Sequence, residues 1–276
     1  MEYAIGFLIA FAIAVTGVGA GSITAPLLIF FLHVPVAVGV GTALAYSAVV
    51  KFIVVPVQIW RRQVNYRVVG FMLLGGLPGV ILGSILFRYF DLKGQQSVLY
   101  VVLGLIIIVS SGWHLYRHFR PVDRGTFQTN RPRSLAALML PVGLEVGLSS
   151  SGAGALGTIA LLGLTSLTAA QVVGTDLAFG FCVSLVGSSM HVLNGGHDSA
   201  LLIKLVCGGV VGALAGSLLA PRLPNRQLRL ALSAWLLILG LQFCYKAVTS
   251  EVGSEPVPSA ISTPAGRPIT ASIAAH

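Results

Sequence analysis

Gly17-Val18-Gly19-Ala20-Gly21-Ser22 interrupts an apolar run that stretches from residue 3 to residue 32. Ser149-Ser150-Ser151-Gly152-Ala153-Gly154 does the same to the run from 135 to 163. The second interruption copies the first: Gly19-Ala20-Gly21 recurs as Gly152-Ala153-Gly154, at an offset of 133 residues (152−19). Val40-Gly41-Thr42 recurs as Val173-Gly174-Thr175, and Gly75, Gly76, Gly79 and Gly83 recur as Gly208, Gly209, Gly212 and Gly216, at the same offset (174−41, 208−75). No gap is needed to align the copies. Two copies of one hydrophobic unit, each opening with a glycine-broken helix, is how many secondary transporters are built, and it places a binding site where the halves meet.

Working outward, composition gives the solvent. The 276 residues are 55% hydrophobic and 9% charged, with a mean hydropathy of +0.90. A soluble domain carries about 25% charged residues, so this is an integral membrane protein in contact with the lipid bilayer. The apolar runs lack the alternation of a barrel strand, so helices make the crossings. The net charge of +9 is no sign of nucleic acid, because most basic residues flank hydrophobic spans, where Lys and Arg set orientation. Cys182, Cys207 and Cys244 fall in apolar spans without metal-ligand spacing and read as packing residues. The start Met1-Glu2-Tyr3 lacks a basic leader region and reads as the beginning of a first membrane helix.

A crossing needs about 20 apolar residues. Residues 36–58, 68–86, 97–116, 168–190, 201–219 and 228–245 each come near that. The two interrupted runs are too long for a simple helix. Each glycine costs a helix roughly 0.8–1 kcal/mol, so three in five positions invite a break, and Pro26 adds a kink to the first copy only. The expected fold is all-α: a polytopic membrane protein of about eight spans plus glycine-broken or re-entrant segments, in two homologous halves. Its parts are a first membrane repeat at 1–116, a basic cytoplasmic loop at 117–134, a second repeat at 135–248, and a Pro-rich tail at 249–276 expected to be disordered.

Whether each broken run crosses once or folds back decides whether the halves are parallel or inverted. Equivalent loops carry opposite charge. Arg61, Arg62 and Arg67 follow the second span, whereas the matching loop holds Asn194, His197 and Asp198. The next loop has Arg88, Asp91 and Lys93, against Arg222, Arg226 and Arg229 in its copy. A swap of rich and poor loops is expected when equivalent loops face opposite sides. We therefore favour inverted halves, with the central loop cytoplasmic and both termini outside.

The residues that could carry function cluster at the breaks. The first N–H groups of a helix lack intrahelical partners and sit at the positive end of its dipole, so they bind anions without formal charge. Gly19, Gly21, Ser22 and Thr24 in the first copy, and Ser151, Gly152 and Gly154 in the second, are candidate substrate-binding residues. The bland alternative is that these glycines only permit close helix packing. Thr42 and Thr175 either line the same cavity or bond a local carbonyl. Buried charge in a membrane usually faces a cavity or a partner. Lys51 is a candidate counter-ion for the substrate or a partner of Glu145 or Asp176. Glu145 and Asp176 are candidate carriers of a coupling proton. Lys51 matches Ser184 and Asp176 matches Ala43, so the halves are not chemically equal. Gly75, Gly79 and Gly83 with their copies read as tight helix packing. His191 and the other span-end histidines read as interfacial. No catalytic residues, cofactor or metal site emerge: there is no G-x-x-x-x-G-K-[ST], H-E-x-x-H or G-x-S-x-G.

Gly17-Val18-Gly19-Ala20-Gly21 with Pro26-Leu27-Leu28, followed by Val40-Gly41-Thr42-Ala43-Leu44, resembles the TauE/SafE family of sulfite exporters. Val173-Gly174-Thr175-Asp176-Leu177 resembles its second motif. The resemblance covers roughly residues 4–245. It implies a bacterial inner-membrane transporter of sulfite, sulfonates or related organosulfur anions. The chain departs from the family in having Gly19-Ala20-Gly21 where a triple glycine is frequent, and in lacking a proline after the second break.

The expected function is therefore secondary transport of a small anionic substrate, by a multi-pass protein of the cell inner membrane, with a homo-oligomer compatible with the sequence. A passive anion channel and a non-transporting scaffold or accessory subunit are the alternatives.

Overall fold

The computed structural model describes residues 2–16, 20–32, 34–93, 96–119, 132–150, 156–193 and 195–219, with short pieces at 237–238, 240–242 and 245. Among the described residues the chain is helical and contains no strand. The helices are α1 Glu2–Thr16, α2 Ala20–Phe31, α3 Val36–Trp60, α4 Tyr66–Leu92, α5 Gln96–Phe119, α6 Pro132–Ser149, α7 Leu156–Leu164, α8 Ala169–Leu193 and α9 Ser199–Leu219. Each interrupted run is divided between two helices, α1 and α2 in the first copy, α6 and α7 in the second. Four helices are long and apolar enough to cross a membrane: Val36–Trp60, Tyr66–Leu92, Ala170–Leu193 and Ser199–Leu219. The span expected at 228–245, most of the central basic loop and the tail at 249–276 lie outside the described residues.

Apolar side chains point both inward and outward. Leu74, Leu82 and Ile85 on α4, and Ile203, Val211 and Leu218 on α9, are exposed. Such a surface is stable only against another apolar phase. The centre is built by α3 and α8, around Leu44, Tyr46, Val50, Phe179 and Val183.

The glycine ladder explains how the helices approach. Gly75, Gly79 and Gly83 of α4 lie against the carbonyl oxygens of Ala136, Leu140 and Leu144 of α6, so closely that an added Cβ would overlap them. Gly208, Gly212 and Gly216 of α9 lie in the same way against Tyr3, Phe7 and Phe11 of α1. The partners repeat at the offset of the glycines (136−3, 140−7, 144−11). Small residues let backbones come together where lipid supplies no hydrophobic drive between helices. Along both seams residue numbers rise together, so α4 runs parallel to α6 and α1 to α9.

The other contacts are reciprocal too. Gly76 leaves room for the ring of Phe179, and Gly209 leaves room for the ring of Tyr46, the repeat copy of Phe179. The Tyr46 hydroxyl donates to Gly6 O. The turns closing α3 and α8 match as well. Arg62 (φ 56°) and Gly195 (φ 75°) take left-handed conformations at equivalent positions, and Gln63 N–H→Gln58 O and Gly196 N–H→His191 O, both 3.0 Å, close the same wide turn. Glycine adopts that φ freely, and Arg62 adopts it at a cost. Along the central seam Gly41 meets His191, Leu44 meets Gly187, Ser47 meets Ser184 and Lys51 meets Gly180. Numbers rise on one helix and fall on the other, so α3 and α8, copies of one another, run antiparallel.

Candidate functional site

The middle of the α3–α8 seam is polar. Lys51 is 2% exposed, and its ammonium donates to Gly180 O at 3.2 Å and to Ser184 Oγ at 3.0 Å. Ser184 Oγ lies 3.2 Å from Ser47 Oγ. A charge out of water is tolerated only with hydrogen bonds and opposite charge nearby. The carbonyl and hydroxyl supply the first, and the Asp176 carboxylate, about one turn before Gly180 on α8, attracts the ammonium from further off. Since Ser184 is the repeat copy of Lys51, the charge sits where the two copies cross.

The start of α7 forms a second polar cluster. Asp176 is 1% exposed, and its Oδ2 accepts from Thr158 Oγ1 at 3.0 Å. Gly157 packs so closely on Asp176 Oδ1 that a Cβ there would overlap the oxygen. Gly157 and Thr158 belong to the first turn of α7, whose N–H groups have no intrahelical acceptor. The carboxylate is thus held at the positive end of this helix. Glu145 is buried in α6, and Ser149 Oγ donates to its backbone oxygen at 2.9 Å. Ser150 ends the described part of this segment in a left-handed conformation, φ 61°, with its buried hydroxyl lacking a hydrogen-bond partner among the described residues.

The Gly-Thr pairs bridge the halves. Thr42 Oγ1 accepts the Asp198 N–H at 3.1 Å, and Thr175 Oγ1 accepts the Asn65 N–H at 3.1 Å. Gly41 packs on Gly196 O, and Gly174 on Gln63 O, each too close for a side chain. The loop donors are themselves helix caps: Asn65 Oδ1 accepts from Val68 N–H at 3.2 Å, and Asp198 Oδ1 from Leu201 N–H at 3.0 Å. Each pair therefore clamps the cap of a helix in the opposite half.

Of the residues singled out from sequence, Gly19, Ser151, Gly152 and Gly154 lie outside the described residues. Gly21 and Ser22 fall in the first turn of α2, where only the backbone is described, and Thr24 is fully buried one turn further. Lys51 and Asp176 share the α3–α8 core. Thr42 and Thr175 lie apart from it, towards opposite ends of the seam. His191 is not interfacial: it is buried, its Nδ1 lies 2.9 Å from Gly187 O, and its ring packs 5.2 Å from Phe87. Asn65 and Asp198 were missed as partners of the threonines. Their signal was available, since an Asn or Asp before an apolar run marks a helix start and the two positions differ by the repeat offset.

The same chain features recur in known proteins. The probable membrane transporter protein YjnA of Bacillus subtilis (strain 168) is 29% identical over 245 residues, covering 86% of this chain and 96% of that protein. The probable membrane transporter protein YunE of the same organism is 23% identical over 256 residues, covering 85% and 93%. No solved structure matches the chain. The family model described as sulfite exporter TauE/SafE matches residues 3–243, which takes in both glycine breaks, both Gly-Thr clamps and the Lys51–Ser184 crossing, and the chain belongs to that family.

Proposed function

We propose that the protein is a multi-pass secondary transporter that moves a small anion, sulfite or an organosulfonate, across the bacterial inner membrane. The family and two relatives named as probable membrane transporters support transport. The observation that carries the secondary-transport reading is the reciprocity of contacts. Every glycine seam, clamp and cap in one half has its copy in the other, and the crossing of α3 and α8 carries buried charge. Two units that can rock about such a crossing give alternating access.

The halves are read as inverted. Copies that run antiparallel, as α3 and α8 do, are related by an axis across the helices, which lies in the membrane plane. The short turns after α3 and α8 reverse the chain, so α1, parallel to α9, runs in the sense of α3. α2 ends only a few residues before α3 begins and so runs back against α1. At 15 and 12 residues and about 1.5 Å per residue, α1 and α2 are shorter than a bilayer core of about 30 Å. Each half then comprises a folded-back hairpin and three crossings, which puts both termini outside. Cysteines replacing Tyr66 and Ser199, equivalent exposed positions that leave both caps intact, should be labelled by an impermeant maleimide from opposite faces; labelling of both from one side would establish parallel halves.

Substrate is placed between the two breaks, on Gly19, Gly21, Ser22 and Thr24 and on Ser151, Gly152 and Gly154, with Thr42 and Thr175 fastening the ends and the Lys51 charge nearby. Asp176 and Glu145 are the acids available to couple a proton. Purified protein in proteoliposomes should accumulate one of sulfite, thiosulfate, sulfoacetate or taurine against its gradient, and Asp176→Asn combined with Glu145→Gln should abolish accumulation while leaving the protein folded. Undiminished accumulation by the double variant would remove both acids from the coupling step.

A further inference from the structure

The two halves share a backbone plan but not a charge plan, and the difference falls on the helix ends that the anion reading relies on. At the start of α7 the Asp176 carboxylate is fully buried, accepts from Thr158 Oγ1 at 3.0 Å and fills the space that a side chain at Gly157 would need. At the equivalent places in the first half stand Ala25, Ala43 and Thr24. There the pair Gly157 and Asp176 is replaced by a buried hydroxyl and a methyl, a donor without a carboxylate.

We propose that Asp176 is a tethered anion that fills the α7 end, so that the protein takes a single substrate anion per chain, at the α2 end. The inference rests on the anion-transport reading above. A helix N-terminus attracts negative charge whether that charge is free or attached. An attached carboxylate has no translational freedom to lose on seating, so it holds the end against a free anion of similar charge. Gly157 is needed because only a residue without a Cβ lets the carboxylate approach the first turn, and Thr158 holds its second oxygen. Ser150, whose buried hydroxyl has no partner among the described residues, stands at the end of α6 as a further donor for whatever occupies the neighbouring break. Substrate selection then lies with the first half, in Ser22, Thr24 and the first N–H groups of α2, and the second half supplies a fixed charge.

Calorimetric titration of the detergent-purified full chain with sulfite tests this. The wild type should show one binding event. Asp176→Asn keeps the shape and removes the charge, and should add a second event, doubling the stoichiometry, while Thr24→Val should weaken the first event in either background. Gly157→Ala keeps the carboxylate but unseats it, and should reproduce the second event; it is read in place of Asp176→Asn if that variant loses its monodisperse elution profile. An Asp176→Asn protein that is folded and binds sulfite with unchanged stoichiometry, or no longer binds it, would overturn the proposal while leaving anion transport standing. A wild type that binds none of sulfite, thiosulfate or sulfoacetate would instead bring down the anion-transport reading, and this inference with it.

Discussion

Gly75→Ala and Gly208→Ala are each expected to lower the thermal midpoint of the purified protein sharply and by similar amounts, while Gly70→Ala and Gly163→Ala leave it unchanged. A methyl on Gly75 would overlap Ala136 O, and one on Gly208 would overlap Tyr3 O, whereas nothing lies within 4 Å of a Cβ at Gly70 or Gly163. The obstructing atoms are backbone carbonyls, which cannot rotate away as a side-chain tip can. The helices must separate, and the whole seam loosens with them because Gly79 and Gly83, or Gly212 and Gly216, sit on the same line. Overpacking a close-packed site costs roughly 1–3 kcal/mol, against a helix-propensity gain from Gly to Ala of about 1 kcal/mol. The steric loss prevails at the seams, and the gain alone remains at the control sites. Leucine at Gly75 or Gly208 should prevent accumulation of folded protein altogether. Fluorescence-detected size exclusion after a heating series measures both effects. A Gly75→Ala protein as stable as the wild type would mean that α4 and α6 do not meet through these glycines.

The seams were legible in the sequence because packing of small residues leaves a spacing. Gly75, Gly79 and Gly83 stand at i, i+4 and i+8, and their exact copy at Gly208, Gly212 and Gly216 announced that the same contact is made twice. What no spacing told was the partner, since Ala136 and Tyr3 carry no mark of the carbonyls that receive the glycines. The charge of equivalent loops pointed to inversion, and the antiparallel run of α3 and α8 supports that reading from independent contacts. Lys51 was legible as a buried charge because an ammonium in the middle of a greasy span needs a reason. That its partner would be Ser184, its own copy, follows only once the helices are known to cross there. Asp176 was legible as an acid and not as a helix cap. Its helix, α7, lies on the far side of a turn, and the absent Cβ of Gly157 reads in sequence as one more glycine among many.

Locking either end of the molecule should stop transport by about tenfold or more, and unlocking it should restore the rate. Thr42 and Gly41 hold the Gly196–Asp198 turn at one end of the α3–α8 seam, and Thr175 and Gly174 hold the Gln63–Asn65 turn at the other. The single hydrogen bond at each end contributes on the order of 1 kcal/mol, small enough to be broken and remade in a working cycle. A rocking transporter has to open one end while the other stays closed, so a covalent bridge at either end blocks the half-cycle that the other end cannot replace. In a background with Cys182, Cys207 and Cys244 changed to alanine, Thr42→Cys with Asp198→Cys joins the first pair, and Thr175→Cys with Asn65→Cys the second, each through a short bifunctional thiosulfonate that dithiothreitol removes. The two bridges should inhibit equally, because the contacts they trap are copies. Sulfite uptake into proteoliposomes is the readout, with the unbridged cysteine pairs as controls for the lost cap and hydroxyl. A protein bridged quantitatively at one end that still transports at the rate of its reduced form would show that the clamps are fixed struts and that the anion passes without relative motion of the halves, as in a channel.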